Sequence, residues 1–124
     1  MEKNKIFLNS YDNSKKILTG TVQMNVVGKD DSKTIFDLIV KGINDNPSYN
    51  DYILDTRAVT DVRIESFGYL MKALGVVKKT AGYMILVINE DVLQKFMITN
   101  PEMFDYYAVF FSIDEAVQFI ISKR

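Results

Sequence analysis

The chain contains no cysteine and no histidine. Without cysteine there is no disulfide, no thiol nucleophile and no thiolate metal site. Without histidine the commonest general base near neutral pH and the commonest zinc ligand are both missing. Most hydrolase constellations fall away with them. A serine nucleophile would need a lysine or carboxylate base instead, and no stretch of the sequence presents one. Long apolar runs are missing too. The longest, Met84-Ile85-Leu86-Val87-Ile88, is extended only by counting Tyr83 and stays far short of the ~20 residues of a membrane-spanning helix. The opening Met1-Glu2-Lys3-Asn4-Lys5-Ile6-Phe7-Leu8-Asn9 has too little apolar length for a secretory signal. Neither charge dominates: 15 Lys and Arg face 16 Asp and Glu, a net charge of −1. No basic field is available for nucleic acid or an anionic membrane. The expectation is a cytoplasmic protein with no nucleic-acid or membrane partner, no metal and no cofactor.

What is present is ordinary globular composition, 48% hydrophobic and 25% charged over 124 residues, which predicts one domain spanning 1–124. Ile6 to Ser10 and Lys16 to Val27 are β-prone and separated by the turn cluster Tyr11-Asp12-Asn13-Ser14, so they predict an antiparallel hairpin. Gly20 inside its second strand suggests a bulge or bend. Gly28-Lys29-Asp30-Asp31 breaks that pattern.

From Ser32 to Asn44, Ile35, Leu38, Ile39 and Ile43 mark one helical face. Asp30, Asp31 or Ser32 can cap its start, and Asn44-Asp45-Asn46-Pro47 ends it. Tyr52-Ile53-Leu54, closed by Asp55, reads as a buried central strand. Ile64, Phe67, Leu70, Met71, Leu74 and Val77 mark a second helix, and Tyr83 to Ile88 the strongest strand. Asn89 can cap a third helix with Val92, Leu93, Phe96 and Met97 as its apolar face, stopped by Asn100-Pro101. Tyr106 to Phe111 is a last strand. Ser112-Ile113-Asp114-Glu115 has the form of a capping box for a last helix that faces inward with Ile113, Val117, Ile120 and Ile121. The order ββαβαβαβα predicts an α/β fold: a mixed sheet of about five strands, later ones parallel, with helices packed on it.

From Tyr52 onward the sequence resembles the STAS domain of bacterial anti-sigma-factor antagonists. The resemblance lies in Tyr52-Ile53-Leu54-Asp55 followed by Ala58-Val59-Thr60-Asp61-Val62, then Glu65-Ser66-Phe67-Gly68-Tyr69-Leu70 where the family has Asp-Ser-Ser/Thr-Gly-Leu. It continues through Lys78-Lys79-Thr80-Ala81-Gly82 into Met84-Ile85-Leu86-Val87, Asp91-Val92-Leu93-Gln94-Lys95-Phe96, and Phe110-Phe111-Ser112-Ile113-Asp114-Glu115-Ala116-Val117. It covers roughly the last 70 residues by local pattern and the whole chain by element order. Asp55-Thr56-Arg57-Ala58-Val59-Thr60 also looks like the related STAS/Sec14-like branch.

The resemblance implies a non-catalytic regulatory module that binds a protein partner. In the family, a serine is phosphorylated by a partner kinase that is also the anti-sigma factor, and that serine falls on Ser66. Glu65 takes the place of the family's Asp, Gly68 that of its Gly, and Phe67 that of a small hydroxyl residue. The apolar period starts at Ile64, which would put Ser66 in the first helical turn. Phosphate is favoured near a helix N-terminus, and it adds about −1.5 to −2 of charge to a docking surface. Candidate docking residues are Arg57, Asp61, Arg63, Glu65, Phe67 and Gly68. The STAS/Sec14-like branch implies an alternative, a small apolar ligand between helices and sheet.

Each of these residues also has a plainer reading. Ser66 is a preferred helix cap in any protein, and a charged stretch is commonly a solvated loop. Met71, Met84, Met97 and Met103 could line a plastic groove, but thioethers more often fill cores. The aromatic strand with Tyr106, Tyr107, Phe110 and Phe111 would pack one face inward and leave the other for a partner. Asp55, at the end of a central strand, sits where α/β folds build sites, and bracing a loop or helix is its commoner role.

Overall fold

The computed structural model describes residues 6–62, 69, 72, 84–99 and 108–124. The chain enters through the expected hairpin. Strands β1 (Phe7–Asp12) and β2 (Ile17–Val22) pair antiparallel from Phe7↔Val22 to Asp12↔Ile17. Asp12 organises the turn: its Oδ1 accepts from the Ser14 hydroxyl at 2.7 Å, the Ser14 N–H at 3.0 Å and the Lys15 N–H at 3.1 Å. These bonds favour the ionised carboxylate, led by the Ser14 hydroxyl and then the Lys15 N–H, and hold the Asp12 pKa at about 2. Lys16 closes the turn in left-handed backbone at φ 57°.

Two expectations about β2 are corrected. Gly20 makes no bulge, for it stands in unbroken register between Asn9 and Leu54. Its role is lateral: a Cβ there would run into the Tyr52 hydroxyl and the Phe7 ring. The strand also stops at Val22, and Val26–Val27 forms a separate strand, β3.

Helix α1 (Lys29–Asp45) starts earlier than Ser32, with Gly28 as its N-cap. Asp31 works from inside the first turn, where its Oδ2 accepts the Gly28 N–H at 3.0 Å. Ser32 is turned inward and its hydroxyl donates to the Lys29 carbonyl at 2.7 Å. Ile35, Ile39 and Ile43 are buried as predicted, and Leu38 packs half-buried beside them. The N–H and side-chain amide of Asn46 close the helix on the Gly42 carbonyl.

Strand β4 (Asp51–Asp55) is buried at every residue. After β5 (Asp61–Val62) come β6 (Met84–Val87), α2 (Glu90–Thr99), β7 (Ala108–Phe110) and α3 (Ile113–Ser122). Tyr69 and Lys72 have helical backbone; the rest of the helix expected from Ile64 to Val77 lies outside the described residues, as do Tyr83, Tyr106 and Tyr107. The main sheet runs β1-β2-β4-β6-β7, antiparallel only at β1. This is the mixed five-stranded α/β arrangement that the element order predicts. Strands β3 and β5 pair parallel as a second, two-stranded sheet.

Alternation along β4 divides two cores. Tyr52 and Leu54 join Leu18, Leu86, Ile88 and the inner face of α1, with Val92 of α2. Ile53 joins Ile17, Ile85 and Val87 against Ala116 and Ile120 of α3. Each fully buried aliphatic side chain contributes about 1.5–3 kcal/mol. Two apolar positions depart from expectation. Met97 is 58% exposed and Ile121 47% exposed, and Ala116 takes the inward place on α3. On α3 only Ala116 and Ile120 are buried, a narrower stripe than its run of apolar residues. The side chains of Phe96 and Met84, and all of Met71 and Met103, fall outside the described residues.

The capping residue Ser112 accepts the Glu115 N–H at 3.2 Å. The returning bond reaches one residue further than a standard capping box: Glu115 Oε1 accepts the Phe111 N–H at 3.2 Å. At the far end of α3, Arg124 Nη2 donates to the buried Asp51 carboxylate at 2.8 Å, which ties the helix to the start of β4.

Candidate functional site

The connectivity brings the carboxyl ends of β2, β4, β6 and β7 to one edge of the sheet, where α/β folds place their sites. The three helices also begin there. Each opens with two acidic residues: Asp30 and Asp31, Glu90 and Asp91, Asp114 and Glu115. Carboxylates are favoured at helix N-termini by the partial positive charge of the unpaired N–H groups. Asn89 caps α2 as expected, its Oδ1 accepting the Asp91 N–H at 2.9 Å.

Arg57 stands at the middle of this edge. The β4 strand ends in Asp55, which is 5% exposed. Thr56 then turns across to β6, its N–H and its hydroxyl both donating to the Val87 carbonyl at 2.8 Å. That turn folds Arg57 back over Asp55. Asp55 Oδ1 accepts the Arg57 N–H at 3.1 Å and Nε–H at 3.0 Å, while Oδ2 accepts Nη2–H at 2.9 Å. The hydrogen bonds to Asp55 raise the Arg57 pKa further above its ordinary value, so the guanidinium is charged at every working pH. Asp55 thus braces the loop, as its commoner role suggests. The Arg57 side chain stays 51% exposed.

Downstream, the Thr60 N–H and the Asp61 N–H both donate to the Asn25 carbonyl, at 2.8 and 3.2 Å, which docks β5 against β3. Asp61 is therefore half-buried at the same edge. Of the predicted docking residues, Arg57 and Asp61 follow β4 among the described residues, whereas Arg63, Glu65, Phe67, Gly68 and the phosphorylation candidate Ser66 lie outside them. In the sequence Arg57 and Asp55 stand out separately; their i, i+2 spacing after a strand is the signal that they form one unit.

Between α1 and the sheet lies a cavity of about 40 Å³, lined by Val27, Ile39, Leu54, Val59, Ile88 and Tyr69 among others. Small-molecule sites usually hold roughly 300–1,000 Å³, so this volume does not favour the apolar-ligand alternative. Among the described residues there is no group of three or more metal-ligating side chains. No helix among them is long and apolar enough to cross a membrane.

Solved structures share this architecture end to end. A proposed anti-sigma factor antagonist from Thermotoga maritima superposes with a TM-score of 0.74 at 17% identity, covering 100% of both chains. The fold is that of the anti-sigma factor antagonists. An anti-sigma factor antagonist from Mycobacterium paratuberculosis gives a TM-score of 0.75 at 13% identity over 92% of each chain. The anti-sigma factor antagonist SpoIIAA, unphosphorylated, gives 0.66 at 10% identity over 95% of this chain and 99% of its own. SpoIIAA of Bacillus in its phosphorylated form has the same antagonist fold, with a TM-score of 0.62. No family model and no curated protein sequence matches the chain.

Proposed function

We propose that this chain is a non-catalytic regulatory module of the cytoplasm that docks a protein partner at the carboxyl edge of its sheet, as an anti-sigma factor antagonist does. The partner is a serine kinase that also acts as an anti-sigma-like regulator, and its target is Ser66. The observation carrying this reading is the full-length likeness in fold to the antagonist from Thermotoga maritima. The existence of SpoIIAA in both unphosphorylated and phosphorylated forms supports the switch. Arg57 and Asp61 supply the described part of the docking face, and Arg63, Glu65, Phe67 and Gly68 continue it in sequence. A phosphoryl group there adds about −1.5 to −2 of charge to an edge already rich in carboxylates and repels an acidic group of the partner.

Incubation with the cognate kinase and ATP, read by intact mass and peptide mapping, is expected to add one phosphate, at Ser66. Ser66→Asp is expected to weaken partner binding about tenfold, the effect of one ~1.4 kcal/mol repulsive contact, with an unchanged circular-dichroism spectrum. A phosphate on another residue, or equal binding by Ser66→Asp and wild type, would refute the switch.

A further inference from the structure

We propose that this chain forms a two-fold dimer by pairing strand β1 with β1 of a second copy, which joins two five-stranded sheets into one. The dimer stands apart from the function proposed above, which concerns the carboxyl edge of the sheet. β1 is the terminal strand, and its register shows what it offers sideways. The Gln23 N–H donates to the Ile6 carbonyl at 2.7 Å, just beyond the Phe7↔Val22 pair. Antiparallel partners alternate between bonded and non-bonded pairs, so Leu8, Ser10 and Asp12 turn their main-chain N–H and C=O groups toward β2. Those of Phe7, Asn9 and Tyr11 point the other way, where no strand among the described residues pairs with β1.

Such an edge is a template for another chain, and proteins commonly blunt it with lysine, proline, a bulge or a short strand. The opposite edge strand, β7, has only three residues. β1 has six, Phe-Leu-Asn-Ser-Tyr-Asp, in unbroken register and without lysine or proline. Helix α3 packs over β4, β6 and β7 and leaves the β1 face bare, so Leu8 is 51% exposed.

A second copy fits this edge in a way that an extended peptide does not. A two-fold axis at Asn9 sets Asn9 opposite its own counterpart and Phe7 opposite Tyr11, so each outward N–H and C=O finds a partner. The same axis makes Leu8 a diagonal neighbour of its counterpart, about 7–8 Å away and within side-chain reach. It holds the Asp12 carboxylates of the two copies about 20 Å apart along the strands. Helix α1 lies over β1 and β2 alike. With strands about 4.8 Å apart, the axis brings the α1 helices of the two copies to about 10 Å, the spacing of packed helices. They meet at the Leu38 turn, which Asn9 fixes above the axis by donating its side-chain amide to the Leu38 carbonyl at 3.0 Å. A strand pair backed by a helix pair is the resulting contact.

The test uses the whole chain. Sedimentation velocity from low micromolar to near-millimolar concentration is expected to show a monomer–dimer equilibrium. Leu8→Lys sets an ammonium group on each side of the axis and is expected to weaken association about tenfold, with an unchanged circular-dichroism spectrum. Because the chain has no cysteine, cross-linking reads the register. Leu8 stands opposite Ser10 of the second copy in a non-bonded pair, about 4.5 Å between Cα atoms, a spacing that admits a disulfide. An oxidised mixture of Leu8→Cys and Ser10→Cys chains is expected to yield more mixed dimer than random pairing gives. A chain that stays monomeric throughout overturns the proposal, as does a dimer that Leu8→Lys leaves as tight as wild type. Like chains joined as readily as unlike ones overturn the pairing centred on Asn9.

Discussion

Replacing Gly20 by alanine tests how closely the two halves of the main core meet. The added Cβ would run into the Tyr52 hydroxyl and the Phe7 ring, whose residues are 0% and 2% exposed. Neither group has solvent to swing into. Forcing a methyl group into packed surroundings costs about 1–3 kcal/mol. Alanine in place of glycine recovers about 0.5–1 kcal/mol of backbone entropy. The net loss is then about 0–2.5 kcal/mol, a fall in Tm of up to roughly 10 °C for a chain of this length. Urea unfolding followed by circular dichroism measures it directly, provided the transition is two-state. Combining Gly20→Ala with Tyr52→Phe removes one of the two obstacles, so the pair is expected to be coupled, losing less than the sum of the single changes. A Gly20→Ala variant more stable than wild type would refute the close-packing account.

Two further outcomes follow from local chemistry. Ser112→Ala removes the acceptor for the Glu115 N–H and is expected to cost about 0.5–2 kcal/mol in the same unfolding assay, with Ser112→Asp restoring most of it. The Asp12 carboxyl is expected to titrate near 2 by NMR, and Ser14→Ala to raise that midpoint. Because the folded value lies below the unfolded one, near 3.9, the Asp12 contribution to stability is present above about pH 4 and fades as pH falls towards 2.

Sequence periodicity is a statement about faces, and where a face decides the structure it was legible. Ile35, Ile39 and Ile43 lie buried on α1, Tyr52 to Leu54 lie at the centre of the sheet, and Asn89 and Ser112 cap the helices that follow them. Strands β3 and β5 were not legible, because two residues carry no period and their pairing rests on the Asn25 carbonyl. Met97 and Ile121 satisfy the apolar spacing yet remain exposed, since the width of a helix contact depends on the neighbour it meets. Gly20 was misread because its constraint comes from Phe7 and Tyr52 on other strands. The Asp55–Arg57 unit was half legible: both residues stood out, but the turn that joins them depends on Thr56 reaching Val87 across the sheet. Ordered elements at their spacing were enough to suggest the antagonist fold at 17% identity, because that ordering carries the topology.

The crowding of acidic first turns has an electrical consequence. Six carboxylates open the three helices at one rim, while towards the other Lys15, Lys41 and Arg124 are paired with Asp12, Asp45 and Asp51. A chain with a formal charge of only −1 thereby gathers negative charge locally at that rim. Another macromolecule drifting nearby feels a torque that turns this rim toward it or away before the surfaces touch. Raising the salt concentration shortens the reach of that torque to a few ångströms, so encounters with a basic surface should slow and those with an acidic one should quicken.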